Sequence, residues 1–524
     1  MATRATWHAS ALILIVVLGL ALRIGLLAAD AAPFNGDEAV VALMAKHILQ
    51  KGERPVFFYG QNYSGALDAY LTAGLYAITG PRIVGGRLVQ MALFALYIVL
   101  VYALAERVTG NRWAALVSGT LVAASTPLLA TYTLVSVGGY GESLVLGTFI
   151  LWLSVRMAEN WADRVLAWVA LGAAGGVAFW VLGISVVYLI PAALFLAWND
   201  RFRHWPFYMA ACAAFVVFSS PWWIHDFTHS HASLGVLIDP KIPPFSIGDR
   251  IAGMMLLGMP ALLGMRFPWE PDLILVPLAV LALALYLAVF LYAARTRRVE
   301  HRTPGRTLLL IQIGLYLVLF IGSRFGIDAT GRYLLPLVAP LAVFTAMLID
   351  HIRRDHLRAA RVLFACLVAF NLAGIGLAAW RNPPGITTQF GPITRFDNRS
   401  DAALISFLLD HEGTRGYSNF WVTYRIAFES DERVILSARL PFKENLAYWS
   451  TDAGYAPYNR AAAESPTAVY VTSQHPVLDA LLRERFAGMG ITFKEEQIGP
   501  YNVFYALSRK VMPEELGKWQ DITD

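Results

Sequence analysis

The sequence predicts an all-α membrane protein, a polytopic bundle of about 11 transmembrane helices with amphipathic helices on its outer surface and a small C-terminal extracytoplasmic α/β domain. Of the 524 residues, 57% are hydrophobic and 15% are charged, which is too apolar for one soluble globule. Apolar runs long enough to span a bilayer recur as far as Trp380, and no run of that length follows it. A bilayer is therefore the expected solvent for the first part of the chain.

The loops between the runs predict the orientation. Residues 295–306 contain five Arg and residues 351–361 contain four, and short positively charged loops stay on the cytoplasmic side. The smaller basic loops at Arg107/Arg112 and Arg201/Arg203 agree. We expect a bacterial-type inner or plasma membrane, a cytoplasmic N-terminus and an extracytoplasmic C-terminal domain. The predicted spans are residues 9–29, 83–106, 113–130, 143–158, 164–181, 183–199, 206–222, 272–294, 307–323, 333–350 and 362–380.

Charge and cysteine content exclude other classes of function. The net charge of +5 could suggest nucleic acid, but the positive residues are concentrated in the cytoplasmic loops, so we expect no nucleic-acid partner. Cys212 and Cys366 lie inside predicted spans without a CxxC motif and predict no chemistry. The first apolar run is predicted to be a retained anchor rather than a cleaved signal peptide, because further spans follow it.

The chain is expected to have two domains. Residues 1–380 form the transmembrane domain, with outer loops at 30–82 and 223–271, and residues 381–524 form the C-terminal domain after the proline-rich linker "RNPPG". Residues 400–411 have helical spacing, while 467–473 and 501–507 have the composition of strands. Residues 417–430 concentrate aromatic side chains around Arg425. We expect them to contribute to acceptor recognition or, alternatively, to an ordinary small-domain core.

The first outer loop carries the most informative pattern. Asp37 and Glu38 open the segment "DEAVVALMAKHILQ", which predicts an amphipathic helix on the outer surface. Carboxylates are also favoured at any helix N-terminus, which is the structural alternative for this pair. The later stretch "FFYGQNYSG" is rich in aromatic and amide groups. Such groups suit sugar binding, because rings stack on the apolar face of a pyranose while amides meet its hydroxyls.

These features together carry a resemblance. The Asp-Glu pair, "FFYGQNYSGALDAYL", "GRLVQMALFALYIVLVYALAERVTGNRWAALVSG", "GGYGES" and "GRYLLPLVAP" follow one another in an order that resembles integral-membrane GT-C glycosyltransferases. The nearest branch is similar to bacterial relatives of protein O-mannosyltransferases (dolichyl-phosphate-mannose-protein mannosyltransferase-like) and of aminoarabinose transferases. The resemblance covers most of residues 1–350.

The resemblance implies a function. Such enzymes move a sugar with inversion from a polyprenyl-phosphate-linked donor to an extracytoplasmic acceptor hydroxyl of a protein, a lipid or an envelope glycan. By motif position Asp37 is the general base, and Glu38 orients the helix or the acceptor. The expected partners are the polyprenyl-phosphate-linked sugar, the lipid bilayer and the acceptor.

Other candidate residues follow from the same resemblance. Arg332 and Arg324 are expected to bind the donor phosphate, although a snorkelling interfacial Arg is the alternative. No cofactor is required by this chemistry, and a divalent metal remains an open alternative because His225, Asp226 and His229 lie close together in the sequence. Residues expected to bind acceptor or sugar are Tyr59, Gln61, Asn62, Tyr63 and Glu142.

The competing function is a polytopic transporter or a lipid-linked sugar flippase without transferase activity. Such proteins place their sites at the bilayer midplane in broken helices and contain internal repeats. The spans here are nearly free of Asp and Glu, and no repeat of 20–50 residues is evident. A noncatalytic receptor that displays residues 381–524 is a third alternative, but it leaves the Asp-Glu helix unexplained.

Overall fold

A computed structural model describes residues 2–159, 165–238, 245–296, 304–323, 326, 328, 330–381, 385–517 and 520–521. The chain divides into two compact units. The first comprises residues 1–30, 63–67 and 87–380, and the second comprises residues 31–62, 68–86 and 381–524. The first loop (residues 30–82), which the sequence analysis assigns to the transmembrane domain, therefore falls largely in the same unit as the C-terminal region.

The fold is mostly helical, in agreement with the prediction. The helices are α1 (Ala2–Ala28), α2 (Gly36–Lys51), α3 (Leu67–Thr79), α4 (Ile83–Thr109), α5 (Arg112–Ala123), α6 (Pro127–Thr131), α7 (Tyr140–Glu159), α8 (Val165–Val181), α9 (Val186–Asp200), α10 (Trp205–Phe218), α11 (Ser220–Thr228), α12 (Ala232–Ile238), α13 (Ile247–Gly253), α14 (Met259–Leu262), α15 (Val276–Thr296), α16 (Pro304–Gly322), α17 (Val338–Asp355), α18 (Leu357–Trp380), α19 (Asp401–Asp410), α20 (Phe420–Glu429), α21 (Ala456–Glu464) and α22 (Pro476–Gly488).

Eight helical segments in the described residues are long and apolar enough to cross a membrane, and a ninth arises if α10 and α11, bent by 57°, form one span. The chain is thus an integral membrane protein. The predicted count of eleven spans is not confirmed. The predicted span at 164–181 corresponds to α8, which has 17 residues, and the span at 113–130 is divided between α5 and α6 by a break at Ala124–Thr126. A Ser-Thr-Pro sequence causes this break, since Thr126 caps α6 and proline occupies its first position.

Glycine allows close helix packing in the first unit. A Cβ atom added to Gly172 of α8 would lie 2.0 Å from the backbone oxygen of Ala211 in α10. A Cβ atom added to Gly147 of α7 would meet the ring of Tyr188 in α9 at 2.3 Å. In a lipid solvent, which gives no hydrophobic drive to helix association, such backbone proximity is the usual way to gain packing energy.

The second unit contains a five-stranded sheet in the order β2-β1-β4-β6-β5. β1 (Arg415–Ser418) pairs in parallel with β2 (Ile435–Ala438) and β4 (Val469–Ser473), while β6 (Tyr501–Tyr505) runs antiparallel to β4 and to β5 (Lys494–Ile498). The predicted helix at 400–411 and both predicted strands are confirmed. A separate pair is formed by β3 (Ala447–Tyr448) and β7 (Gln520–Asp521).

Arg425 belongs to the core of this unit rather than to a recognition surface. Its side chain is 1% exposed and its Nε lies 2.7 Å from Asp401 Oδ2. Its Nη2 also donates a 2.5 Å hydrogen bond to the Tyr501 hydroxyl. A buried cation is stable only when it is paired, and Arg425 has its partners inside the unit. Of the two alternatives for residues 417–430, Arg425 therefore fits the small-domain core.

Helix α2 exists where the sequence predicts it, but its surroundings differ from the prediction. An amphipathic surface helix would expose its polar face, whereas Glu38 to His47 are all buried. Helix α20 packs against it within the same unit. The polar residues Lys46 and His47 can be buried because acidic groups that follow α20 pair with them.

Candidate active site

The N-terminal turn of α2 holds the two acidic candidates in different environments. Asn35 has extended backbone geometry and caps the helix, and its Oδ1 accepts a 3.0 Å hydrogen bond from the Glu38 backbone N–H. Successive helical residues point ~100° apart. As a result, Glu38 is 2% exposed while Asp37 is half-buried. Of the two carboxylates, Asp37 is the one that a bound molecule can reach.

Thr388 positions Asp37. Its hydroxyl donates a 2.8 Å hydrogen bond to Asp37 Oδ2. The chain around Thr388 is itself held against the residues that precede α2, because the Ile386 N–H donates to the Ala31 carbonyl at 2.7 Å. Asn398 Nδ2 also donates to the Phe34 carbonyl at 3.1 Å. Sequence reasoning missed Thr388, since nothing in the local pattern "ITTQ" marks a partner for a residue so far away.

The opposite end of α2 is fixed by an ionic clasp, which we define as Lys46, His47, Asp431 and Glu432. Lys46 Nζ lies 2.6 Å from Asp431 Oδ1 and 2.9 Å from Glu432 Oε2. The fully buried His47 ring places Nε2 3.0 Å from Glu432 Oε1. Burial alone would raise the pKa of Glu432, but the hydrogen bonds from His47, Lys46 and Lys51 outweigh it and hold that pKa well below its usual range.

Tyr59, a predicted sugar-binding residue, is engaged within the protein. Its hydroxyl donates a 2.7 Å hydrogen bond to Glu53 Oε2, and Tyr455 donates a 2.6 Å bond to the other oxygen of the same carboxylate. The two tyrosine rings stack with centroids 4.4 Å apart. Burial, followed by the bond to Glu53, raises the pKa of Tyr59. One face of this ring is therefore already covered.

A pair of glycines lets the aromatic stretch approach the C-terminal region. Gly60 has a φ of 79°, and a Cβ atom placed there would lie 2.0 Å from the Thr451 carbonyl oxygen. A Cβ atom on Gly454 would lie 2.1 Å from the Gly60 Cα. No larger residue fits at either position without backbone movement. Beyond Gly60, the predicted sugar-binding residues Gln61 and Asn62 are half-buried.

The remaining candidates lie in the first unit. Arg332 Nε donates a 3.1 Å hydrogen bond to Asp328 Oδ2, and its guanidinium lies 4.8 Å from the centre of the Tyr333 ring. Glu142 is 1% exposed and accepts a 3.3 Å hydrogen bond from Gln90 Nε2. Tyr63 also belongs to this unit and is half-buried. Arg324 lies outside the described residues.

The candidate metal ligands His225, Asp226 and His229 contact residues of their own segment. The His225 and His229 rings stack with centroids 3.9 Å apart. Asp226 accepts a 2.8 Å hydrogen bond from the Leu234 N–H and lies 2.9 Å from Nδ1 of His231. Within the ranges that the structure describes, no group of three or more His, Cys, Asp or Glu side chains is arranged to hold a metal ion.

The chain shares its fold with the solved structures described below, and a family match over part of the chain agrees with the resemblance drawn from the sequence motifs. The family model described as dolichyl-phosphate-mannose-protein mannosyltransferase matches residues 66–225. No curated protein sequence matches the chain. The family match begins after Asp37, so it does not itself bear on the role of that residue.

Solved structures extend the likeness over nearly the whole chain. ArnT from Cupriavidus metallidurans in the apo state is 14% identical, with 96% of this chain and 98% of that chain covered and a TM-score of 0.60. The same protein bound to undecaprenyl phosphate is 13% identical, with 93% and 97% covered and a TM-score of 0.58. The Archaeoglobus fulgidus oligosaccharyltransferase in the apo form is 13% identical, with 89% and 69% covered and a TM-score of 0.52.

Proposed function

We propose that this protein is an inverting glycosyltransferase that moves a sugar from a polyprenyl-phosphate-linked donor to an extracytoplasmic acceptor hydroxyl, with Asp37 as the general base. The observation that carries the proposal is a half-exposed Asp37, oriented by Thr388 at a capped helix N-terminus, in a chain with a GT-C fold. The family description, dolichyl-phosphate-mannose-protein mannosyltransferase, and the bound undecaprenyl phosphate of one ArnT structure support the class of donor.

The chemistry needs few groups. Asp37 accepts the proton of the acceptor hydroxyl as the oxygen attacks the anomeric carbon from the face opposite the phosphate. The bond from that carbon to the phosphate oxygen breaks, and its electron pair leaves with the lipid phosphate. Thr388 holds one carboxylate oxygen, which limits rotation of the Asp37 side chain and directs the other oxygen to the acceptor.

Arg332 is proposed to neutralise the departing phosphate. Its pairing with Asp328 fixes the guanidinium while its side chain remains 36% exposed, so part of its planar fork is available to an anion. We expect Arg332→Lys to keep part of the activity because the charge remains, and Arg332→Ala to lose far more. Equal donor affinity in wild type and Arg332→Ala would disprove this role.

The sharpest test of the function separates Asp37 from Glu38. Removing a general base commonly reduces rate by about 10²–10⁴-fold. We expect Asp37→Asn to fold, insert into membranes and bind donor, yet to lose transfer by that factor, whereas Glu38→Gln keeps measurable turnover. The measurement is release of labelled sugar from a saturating polyprenyl-phosphate donor by purified protein. Normal transfer by Asp37→Asn would place the base elsewhere, and movement of donor without transfer would support a flippase.

We propose that the step needs no metal, because one carboxylate base and a phosphate leaving group suffice. Chelation by EDTA should then leave transfer unchanged. Loss of transfer that Mg²⁺ or Mn²⁺ restores would return His225, Asp226 and His229 to consideration.

The proposed orientation places Asp37 and the C-terminal region outside the cell and the Arg-rich loops inside. Single cysteines at 37 and at 484, an exposed position of α22, should react with an impermeant maleimide added to intact cells. Cysteines at 354 and at 298, which lies outside the described residues, should react only after lysis. External labelling at 354 would reverse the orientation and with it the side from which the acceptor arrives.

A further inference from the structure

Two buried hydrogen-bond donors near the start of α2 have no partner in the described parts of the chain. They are Nδ2 of Asn35, whose side chain is fully buried, and Nε1 of the half-buried Trp421. The two residues meet at Gly36, since a Cβ atom added there would lie 3.1 Å from ring carbon Cε3 of Trp421. A buried donor that has lost water and gained no acceptor is unfavourable, so an oxygen atom of an ordered water or of a bound molecule would stabilise each of them.

The positions of helices α2 and α20 also favour an oxygen atom of a bound molecule here. α2 begins at Gly36 and α20 begins at Phe420, and a Cβ atom on Gly36 would also lie 3.1 Å from the Phe420 ring. The N-terminal turns of the two helices therefore lie side by side within one compact unit. Asn35 and Asn419 cap the two turns, and each turn places the positive end of a helix dipole here, which favours an electronegative ligand atom.

An aromatic and basic surface continues from Trp421. The Phe442 ring packs edge-on against Trp421 with centroids 6.1 Å apart, and Trp449 lies 5.5 Å beyond Phe442. Lys443 Nζ is 4.7 Å from the centre of the Trp449 ring. Phe442 and Trp449 are half-buried and Lys443 is exposed, so flat apolar faces and a cationic donor are both accessible.

From this arrangement we propose that Asn35, Trp421, Phe442, Trp449 and Lys443 form a saccharide-binding site, and that the acceptor hydroxyl belongs to a sugar. The inference rests on the proposed transferase function and names its acceptor class. A pyranose has an apolar face that stacks on indole and phenyl rings and a rim of oxygens that accept from N–H donors. Its hydroxyl groups can in turn donate to Asp37, whereas an acyl chain would leave the amide, indole and ammonium donors without acceptors.

The first test is binding without donor, which is independent of the chemical step. Full-length protein in lipid nanodiscs is titrated with maltose, cellobiose and chitobiose, and binding is followed by saturation-transfer NMR and calorimetry. We expect at least one disaccharide to bind wild type, and Trp449→Ala to weaken that binding at least tenfold. Trp421→Phe, which retains a ring but removes Nε1, and Lys443→Met should each weaken it several-fold.

Matched controls separate the site from general damage. Trp198→Phe changes an indole that is 83% exposed in the first unit, and Lys494→Met removes an exposed charge from β5. Both should bind as wild type does, and all variants should keep the wild-type melting temperature within a few degrees. The proposal is overturned if no disaccharide binds wild type, or if Trp449→Ala and Trp421→Phe bind as tightly as the two controls.

A second measurement distinguishes failure of this inference from failure of the proposed function. With a polyprenyl-phosphate donor present, Trp421→Phe should raise the KM for the saccharide acceptor several-fold while kcat stays within about twofold, which a merely structural defect would not do. Transfer to a hydroxyl peptide or a lipid without saccharide binding would disprove the saccharide site and retain the transferase. Saccharide binding without transfer from any donor would support the saccharide site and disprove the transferase function.

Discussion

Different interactions stabilise the interior of each of the two compact units. In the first unit, helices approach at glycines such as Gly172 and Gly147, where backbone or ring atoms leave no space for a side chain. The second unit also has close glycine contacts, at Gly60 and Gly454, but its helix α2 is held by charges. Among them are the clasp residues Lys46 and Glu432, whose side chains are 6% and 14% exposed. The difference reflects the solvent of each unit. In lipid, helix association depends on close van der Waals packing. In water, a buried charge that loses its partner destabilises the fold because its hydration is not recovered.

The largest expected effect is a break in the close packing of the first unit. Gly172→Leu would force a side chain into the Ala211 carbonyl, where even a single Cβ atom is too close. Overpacking of this kind costs at least about 1–3 kcal/mol, and a clash with backbone exceeds that range. We expect loss of monodisperse protein in size-exclusion chromatography. Gly314→Leu on α16, where a Cβ atom would meet nothing within 4 Å, is the matched control. Equal behaviour of the two variants would contradict the packing argument.

Breaking the clasp in the second unit should have the next largest effect. Glu432→Gln leaves Lys46 buried without a full counter-charge, and removing one partner of a buried ion pair costs about 3–5 kcal/mol. The expected result is a lower melting temperature for the C-terminal region, measured by intrinsic fluorescence, while α-helical circular dichroism persists to higher temperature. Glu496→Gln, at an exposed position of β5, should change nothing. An unchanged melting temperature in Glu432→Gln would show that the clasp contributes little.

The depressed pKa of Glu432 predicts a pH dependence with a definite sign. A carboxyl whose pKa is lower in the folded state stabilises the fold above its unfolded value of about 4.3, and this stabilisation is lost as pH falls towards the folded value. The melting temperature of wild type should therefore fall below about pH 4.5 more steeply than that of Glu432→Gln. Parallel curves for the two proteins between pH 5 and pH 3 would assign acid sensitivity to other groups.

The smallest effect distinguishes two acids that contact the same lysine. Asp431 lies 2.6 Å from Lys46 Nζ, closer than Glu432, but its side chain is 85% exposed. Exposed ion pairs contribute roughly 0–1 kcal/mol because water screens them. We expect Asp431→Asn to lower stability by less than about 1 kcal/mol, measured by the same thermal assay. A loss as large as that of Glu432→Gln would mean that distance rather than burial sets the strength of this contact.

Local sequence patterns predicted the helices and strands, because these depend on neighbouring residues in the chain. The predicted apolar segments fall largely on helices because hydropathy reports directly on residues that lipid or protein must surround. In the described residues eight helical segments are long and apolar enough to count as spans, or nine with the bent pair α10 and α11. The start of α2 was also predicted to within one residue, because Asp37 and Glu38 open the helical pattern. Residues 469–473 and 501–505 form strands as their β-branched and aromatic composition indicates.

The contacts that define the candidate site could not be predicted in this way. Thr388 lies 351 residues from Asp37, and Asp431 lies 385 residues from Lys46, so no periodicity connects them. The same distance explains why α2 was predicted to be exposed on one face. Polar residues in a helix normally indicate water, and only the tertiary structure shows that Lys46 and His47 find their partners in a distant segment.

The long separation between the clasp residues has a consequence during synthesis. Ribosomes add about 5–20 residues per second, so the 385 residues between Lys46 and Asp431 take roughly 20–80 s to make. Throughout that interval the acidic partners that Lys46 and His47 have in the folded protein are still missing. Lys46 and His47 thus acquire these partners only after Asp431 and Glu432 have been translated.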